Sequence, residues 1–345
     1  MATRPGEENI ILCTEYDKDV YLLYTQGFTQ LYKAGKFVTI LGEKHNNFHR
    51  DKSLEDLPSL DPFNYIETIR HSRVKTLVLA EIPPSGDPNI PSYNLETIRR
   101  NSNPINTDPT GKTKVLFADI RQKVFQVPHK TNFYLDIMTK TKDFPGNDAL
   151  IDLKYGECHQ FIIKVLDFFR FVVQQEVVKD NVAFKNYVGH FNVLTQNFAP
   201  LIGVSLREAI KESDWKWNQT VNVLPHIQTL KAIQMSVLDI NMLYEMYRNS
   251  LYYDNFVFMV GEKHRLNLND YFTHAGWDVL NNESDDGKNA VNLRKTKQPQ
   301  TLQGCIEQLD LEPSELEQLK LAYSEQVEQA EYLAQTQSPS KKPKQ

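Results

Sequence analysis

What this sequence lacks narrows its class first. Among 345 residues there are three cysteines, Cys13, Cys158 and Cys305, widely spaced and with no CxxC pair. That excludes a disulfide-stapled scaffold and a cysteine-rich zinc module, and it points to free thiols in a reducing compartment. No apolar run approaches the roughly 20 residues that span a bilayer, and MATRPGEENI has no apolar core of a secretory leader. There is no basic excess, since the formal net charge is −5. Neither nucleic acid nor an anionic membrane is therefore an expected partner. No serine or cysteine stands in a GxSxG context, so a water nucleophile is favoured over a covalent route. What is left is a cytoplasmic globular chain with a small-molecule or peptide substrate. Its 40% hydrophobic and 24% charged residues are ordinary for that class.

What the sequence does have is a repeated phrase. FVTILGEKH covers residues 37–45 and FVFMVGEKH covers 256–264, too far apart for a solenoid-type repeat. Each copy ends an apolar, β-branched run, so both are expected at strand ends. VKTLVLA at 74–80, before Glu81, and VLFA at 115–118, before Asp119 and Arg121, read as two further buried strands. Helical spacing separates them at 63–73 and 92–101, and unbroken apolar strands alternating with helices predict a parallel sheet covered by helices.

Residues from about 157 to 250 read as mainly helical, with FNVLTQNFAPLIG lying between helices and a long helix opened by Pro225. The expected fold is therefore α/β, with a mostly parallel sheet, a large helical insertion over about 150–250 and a C-terminal helix. Around this core we expect a loose lead-in at 1–18, a helix over Val20–Ala34 closed by Gly35, and turns after residue 101. A polar linker at 281–311, a charged helix at 312–337 and a basic tail at 338–345 complete the chain. Met235, Met242 and Met246 fit core packing or a partner face of the long helices, through which a homo-oligomer or assembly could form. Tyr252, Tyr253, Phe256 and Phe258 read as strand core. TGKT at 110–113 lacks the first glycine of a phosphate loop and precedes a strand, which argues against a nucleotide site. His49 reads as a solvated loop residue.

Glu43, His45, Glu81, Asp119, Arg121, Glu262 and His264 all fall at predicted strand ends, where open α/β sheets collect ligands. A soluble cap on each strand would explain any one of them, but not two Glu-x-His pairs as readily. A histidine can take a proton from water while a carboxylate fixes its tautomer. An arginine can hold an anionic group or a developing oxyanion. Two histidines with carboxylates could instead ligate a divalent metal and activate its water. Spacing alone leaves these open.

ILGEKH, LVLAEIP, LFADIR and FMVGEKHRLNLNDYFTHAGWDV, in that order, resemble the erythromycin-esterase / TIKI / ChaN (TraB-like) superfamily over about 37–121 and 255–280. The resemblance implies an α/β core with His45 as water-activating base or metal ligand and His264 as second histidine. Glu43 and Glu81 would be supporting carboxylates or ligands, and Asp119, Arg121 and Glu262 would orient the others or bind substrate. It implies ester or amide hydrolysis, metal-assisted in the protease-like members, or haem binding as in the ChaN-like members. A catalytically inactive member serving as a binding or structural module is the other alternative. Departures include a first motif one residue shorter than the esterase form, Glu262 where the family residue is often small, and the two lysines Lys44 and Lys263.

Overall fold

A computed structural model of the protein describes residues 10–14, 18–43, 54–71, 74–84, 92–108, 112–125, 148–211, 224–285, 290–294 and 296–301. His45, His49 and the expected C-terminal helix and tail lie outside these residues.

A six-stranded sheet organises the molecule. Its members are β3 (Gly27–Lys33), β4 (Lys36–Glu43), β6 (Thr76–Ala80), β7 (Thr113–Phe117), β8 (Asn255–Gly261) and β9 (Asp278–Ser284), in the order β7-β6-β8-β4-β3-β9. The first four are mutually parallel, whereas β3 runs antiparallel to both β4 and β9. Every residue of β6 and β8 is buried, as the continuous apolar runs require of strands covered on both faces. The expected mostly parallel α/β sheet flanked by helices is what the structure contains.

Parity along the strands sorts side chains between two layers. Val38, Ile40, Leu77, Leu79, Phe256, Phe258 and Val260 pack on one face. The helices there are α4 (Asp148–Val173), α5 (Val182–Lys211), α6 (Leu224–Asn249) and α7 (Glu262–His274). Leu41, Val78, Ala80, Val257 and Met259 pack on the other, against α1 (Pro62–His71) and α2 (Tyr93–Asn106). The short helix α3 (Arg121–Phe125) follows β7. Met242 and Met246 of α6 are core residues, as expected.

Several expected elements differ. Val20–Ala34 is not a helix but β2 (Tyr21–Leu23) followed by β3, which turns into β4. Ala34 and Gly35 have φ of 48° and 79°, the two left-handed residues of a tight hairpin turn. Five residues of β3 are buried in succession, so strand alternation was invisible, and apolar residues at helical spacing took its place. The helix expected to stop at 101 continues to Asn106 with Pro104 in its last turn; Ser92 caps its start, accepting a hydrogen bond from the Leu95 amide at 3.0 Å.

The lead-in and the linker both hold strands. β1 (Ile10–Thr14) pairs antiparallel with β11 (Lys297–Thr301), and β10 (Ala290–Asn292) pairs with β2, which also pairs with β5 (Ser59–Leu60). β9 is an edge strand exposed along most of its length, and such strands need no apolar run. The FNVLTQNFAPLIG segment, expected between helices, belongs to α5 without interruption. Tyr252 lies before β8 and is 67% exposed, not strand core.

Candidate active site at the carboxyl ends of the central strands

Strands β6, β7 and β8 deliver Glu81, Asp119 and the start of α7 to one place. Glu81 is the first residue past β6, and its amide donates to the Met259 carbonyl at 2.9 Å, which prolongs the ladder with β8. The Asp119 amide donates in turn to the Ile82 carbonyl at 3.1 Å. Both acids are buried to 7% exposure, so their charges need partners.

Arg121 supplies one. Its Nε donates to Asp119 Oδ1 and its Nη2 to Asp119 Oδ2, both at 2.8 Å, in a two-pronged grip; Nη2 also donates to Glu81 Oε1 at 2.7 Å. Burial opposes the charge on this guanidinium, but Asp119 and then Glu81 outweigh it and raise its pKa. The second Glu81 oxygen accepts from the Gly261 amide at 2.8 Å. Gly261 is the N-cap of α7, where a carboxylate is favoured by the exposed amides.

His264, in the first turn of α7, completes the group. Its Nδ1 donates to Asp239 Oδ1 at 2.5 Å, and its Nε2 lies 3.6 Å from Glu81 Oε1, an ion-pair separation too long for a hydrogen bond. Asp239 is wholly buried on α6 and also accepts from Asn267 Nδ2 at 2.9 Å. Two residues on, Asn241 donates to the Ala118 carbonyl at 2.9 Å and ties α6 to the end of β7. Burial would lower the His264 pKa, yet Asp239 and then Glu81 overcome it, and the imidazole titrates above its ordinary value. The result is a chain of charges, Asp239–His264–Glu81–Arg121–Asp119, with three carboxylates facing two cations. Asp239 escaped the sequence reading. Its one signal was an aspartate amid the apolar SVLDINML, where helical packing alone would place an aliphatic residue.

The other expected site residues lie elsewhere. Glu262 forms a two-pronged pair with Arg265, accepting from Nε at 2.7 Å and from Nη2 at 2.6 Å. Arg265 is 1% exposed, and its Nη1 donates to Thr29 at 2.7 Å and to Asn282 at 2.9 Å. This pair sits beneath Gly27 and Gly42, neighbours across β3 and β4. A Cβ on Gly27 would fall 2.1 Å from Arg265 Nε, and one on Gly42 2.1 Å from Glu262 Oε2. Thus the first GEKH glycine makes room for side chains of α7. Glu43 is buried at the end of β4 with the parity of Leu41, toward the α1 and α2 layer, whereas His264 meets α6 on the opposite layer. Four of the seven expected residues therefore converge: Glu81, Asp119, Arg121 and His264.

Among the described residues, no group of three His, Cys, Asp or Glu side chains is arranged to hold a metal ion. Both Glu81 oxygens accept hydrogen bonds, and the His264 Nδ1 is held by Asp239, which leaves Nε2 as the one imidazole nitrogen open to a metal or haem iron, as in sites where an outer carboxylate orients the ligating histidine. No helix is long and apolar enough to cross a membrane among the described residues.

The chain was also compared with known proteins. No protein-family model, no curated protein and no solved structure matches it significantly.

Proposed function

We propose that the protein is a hydrolase of an ester or amide bond in a small-molecule or peptide substrate, with His264 as the base that activates water. The observation that carries this reading is the buried Asp239–His264 pair. A carboxylate on Nδ1 fixes the tautomer, leaves Nε2 to take the proton, and stabilises the imidazolium that forms. Arg121, a fifth exposed, bonds the Glu81 oxygen that lies 3.6 Å from that nitrogen and suits an oxyanion or a substrate carboxylate. The resemblance to the erythromycin-esterase / TIKI / ChaN superfamily supports the same chemistry, with His45 as a further base. Because the His264 pKa is raised, the neutral base forms only above the ordinary histidine range. Hydrolysis should therefore rise with pH through an inflection above about 6.5.

A panel of esters and amides, assayed with and without chelator, tests this against His264→Gln, Asp239→Asn and His45→Ala. Turnover by the wild type that falls at least about 100-fold in His264→Gln, with folding intact by near-UV circular dichroism, is the expected result. Undiminished turnover in that variant would refute the reading. The completeness of the ion pairing and the 4% exposure of His264 favour a second reading, a non-catalytic module whose buried charges fix the sheet ends. A wild type inert across the whole panel would support it.

A further inference from the structure

A cleft of about 600 Å³ opens between α5 and α7. Its size is that of a small-ligand site. Tyr187, Phe191 and Tyr271 form an aromatic corner in it: the Tyr187 ring lies 5.2 Å from Phe191 and 5.0 Å from Tyr271, both edge-on. Among the described residues of the lining, Asp270 is the one carboxylate, accompanied by the His190 and His274 imidazoles and by no lysine or arginine. Its carboxylate lies 3.3 Å from the exposed His274 imidazole. The Tyr187 hydroxyl is buried and has no hydrogen-bond partner among the described residues, a state that native interiors rarely leave unexplained. Burial first, then Asp239 and Asp270, push its phenol well up.

We propose that this cleft binds a small primary ammonium ion carried on an aromatic or short apolar body. Ring faces attract a cation, and Asp270 complements its charge. An anion would meet Asp270 with only the His190 and His274 imidazoles to offset it among the described residues of the lining, and a neutral apolar ligand would leave the carboxylate unused. Asn267 lines the same cleft and donates to Asp239, so an occupant touching Asn267 sits two hydrogen bonds from the His264 ring. The site does not depend on the hydrolytic reading.

Calorimetric titration of the full chain tests it, with phenethylamine, charged at neutral pH, against the uncharged 2-phenylethanol. Saturable one-to-one binding of the amine is expected, about tenfold tighter than the alcohol. It should weaken about threefold in Asp270→Asn, where an exposed charge is removed without disturbing the core, and further in Phe191→Leu. Absence of saturable binding, equal affinity for amine and alcohol, or titrations unchanged in both variants would each overturn the proposal.

Discussion

Gly42→Ala is a demanding perturbation, because one methyl group meets a buried ion pair. The added Cβ would lie 2.1 Å from Glu262 Oε2, 2.9 Å from Arg265 Cδ and 3.1 Å from Arg265 Cβ, whereas ordinary contact begins at 3.4 Å. The carboxylate would have to retreat by more than an ångström. Arg265 cannot follow it without giving up Thr29 and Asn282, which hold its Nη1 at 2.7 and 2.9 Å. Overpacking alone costs about 1–3 kcal/mol. Separating the pair leaves the Arg265 guanidinium, 1% exposed, without its carboxylate, and breaking a buried pair costs about 3–5 kcal/mol. Glu262 is 23% exposed and can recover some hydration, so a loss of about 3 kcal/mol is expected, read as a lower urea midpoint at unchanged slope. A double-mutant cycle isolates the cause. Glu262→Ala removes the group the methyl strikes, so Gly42→Ala should cost much less in that background, with a coupling of at least about 1 kcal/mol. If Gly42→Ala stays within about 0.5 kcal/mol of the wild type, the close packing of glycine on the ion pair is refuted.

Two further outcomes follow from the same structure. The His264 pKa is raised on folding, so its contribution to stability is complete below the unfolded value, near 6.5, and is lost as pH rises through the folded value. Melting temperatures of wild type and His264→Gln should accordingly converge as pH rises above neutrality and separate in weak acid; a gap that widens with alkalinity would contradict the Asp239 and Glu81 environment. Ala34→Gly relaxes a left-handed residue with φ of 48° and should leave the protein unchanged or up to about 1 kcal/mol more stable by urea denaturation. In a helix the same change would cost about 1 kcal/mol, so destabilisation of that size would restore the helical reading of 20–34.

The central sheet was legible because its strands are buried on both faces. VKTLVLA and NFVFMV could hardly be anything else, and each ends in an ionisable residue that marks its carboxyl end. Strand β3 and the part of β9 beyond Leu280 were not legible, for opposite physical reasons. β3 buries the polar Thr29 and Gln30 beside Phe28 and Leu31, which breaks both the apolar run and the alternation, and β9 beyond Leu280 is too exposed to show any apolar pattern. Of the site, Glu81, Asp119, Arg121 and His264 could be found from strand ends alone. Asp239 could not, since its role depends on which face of α6 meets β6 and α7, and spacing within one helix does not report that.

The repeated phrase has a reason, though not the one its likeness suggests. β4 and β8 are adjacent and parallel, so the two copies do lie side by side, but Gly42 is level with Val260 and Glu43 with Gly261. The copies are out of step by one residue. In a sheet a shift of one reverses the face toward which every side chain points. Gly42 thus faces the layer of α7, while Gly261 ends β8 with the opposite parity and begins a helix, whose rotation of about 100° per residue then separates Glu262 from His264. Glu262 turns under β4 to meet Arg265, and His264 turns toward α6 to meet Asp239. Identical residues on neighbouring strands therefore do different work: Gly42 admits the Glu262–Arg265 pair, whereas Gly261 caps α7 and donates its amide to Glu81. Restoring the register in thought, by aligning Gly42 with Gly261, would put the Glu262–Arg265 pair against a side chain instead of a glycine, which the packing of α7 on β4 does not allow.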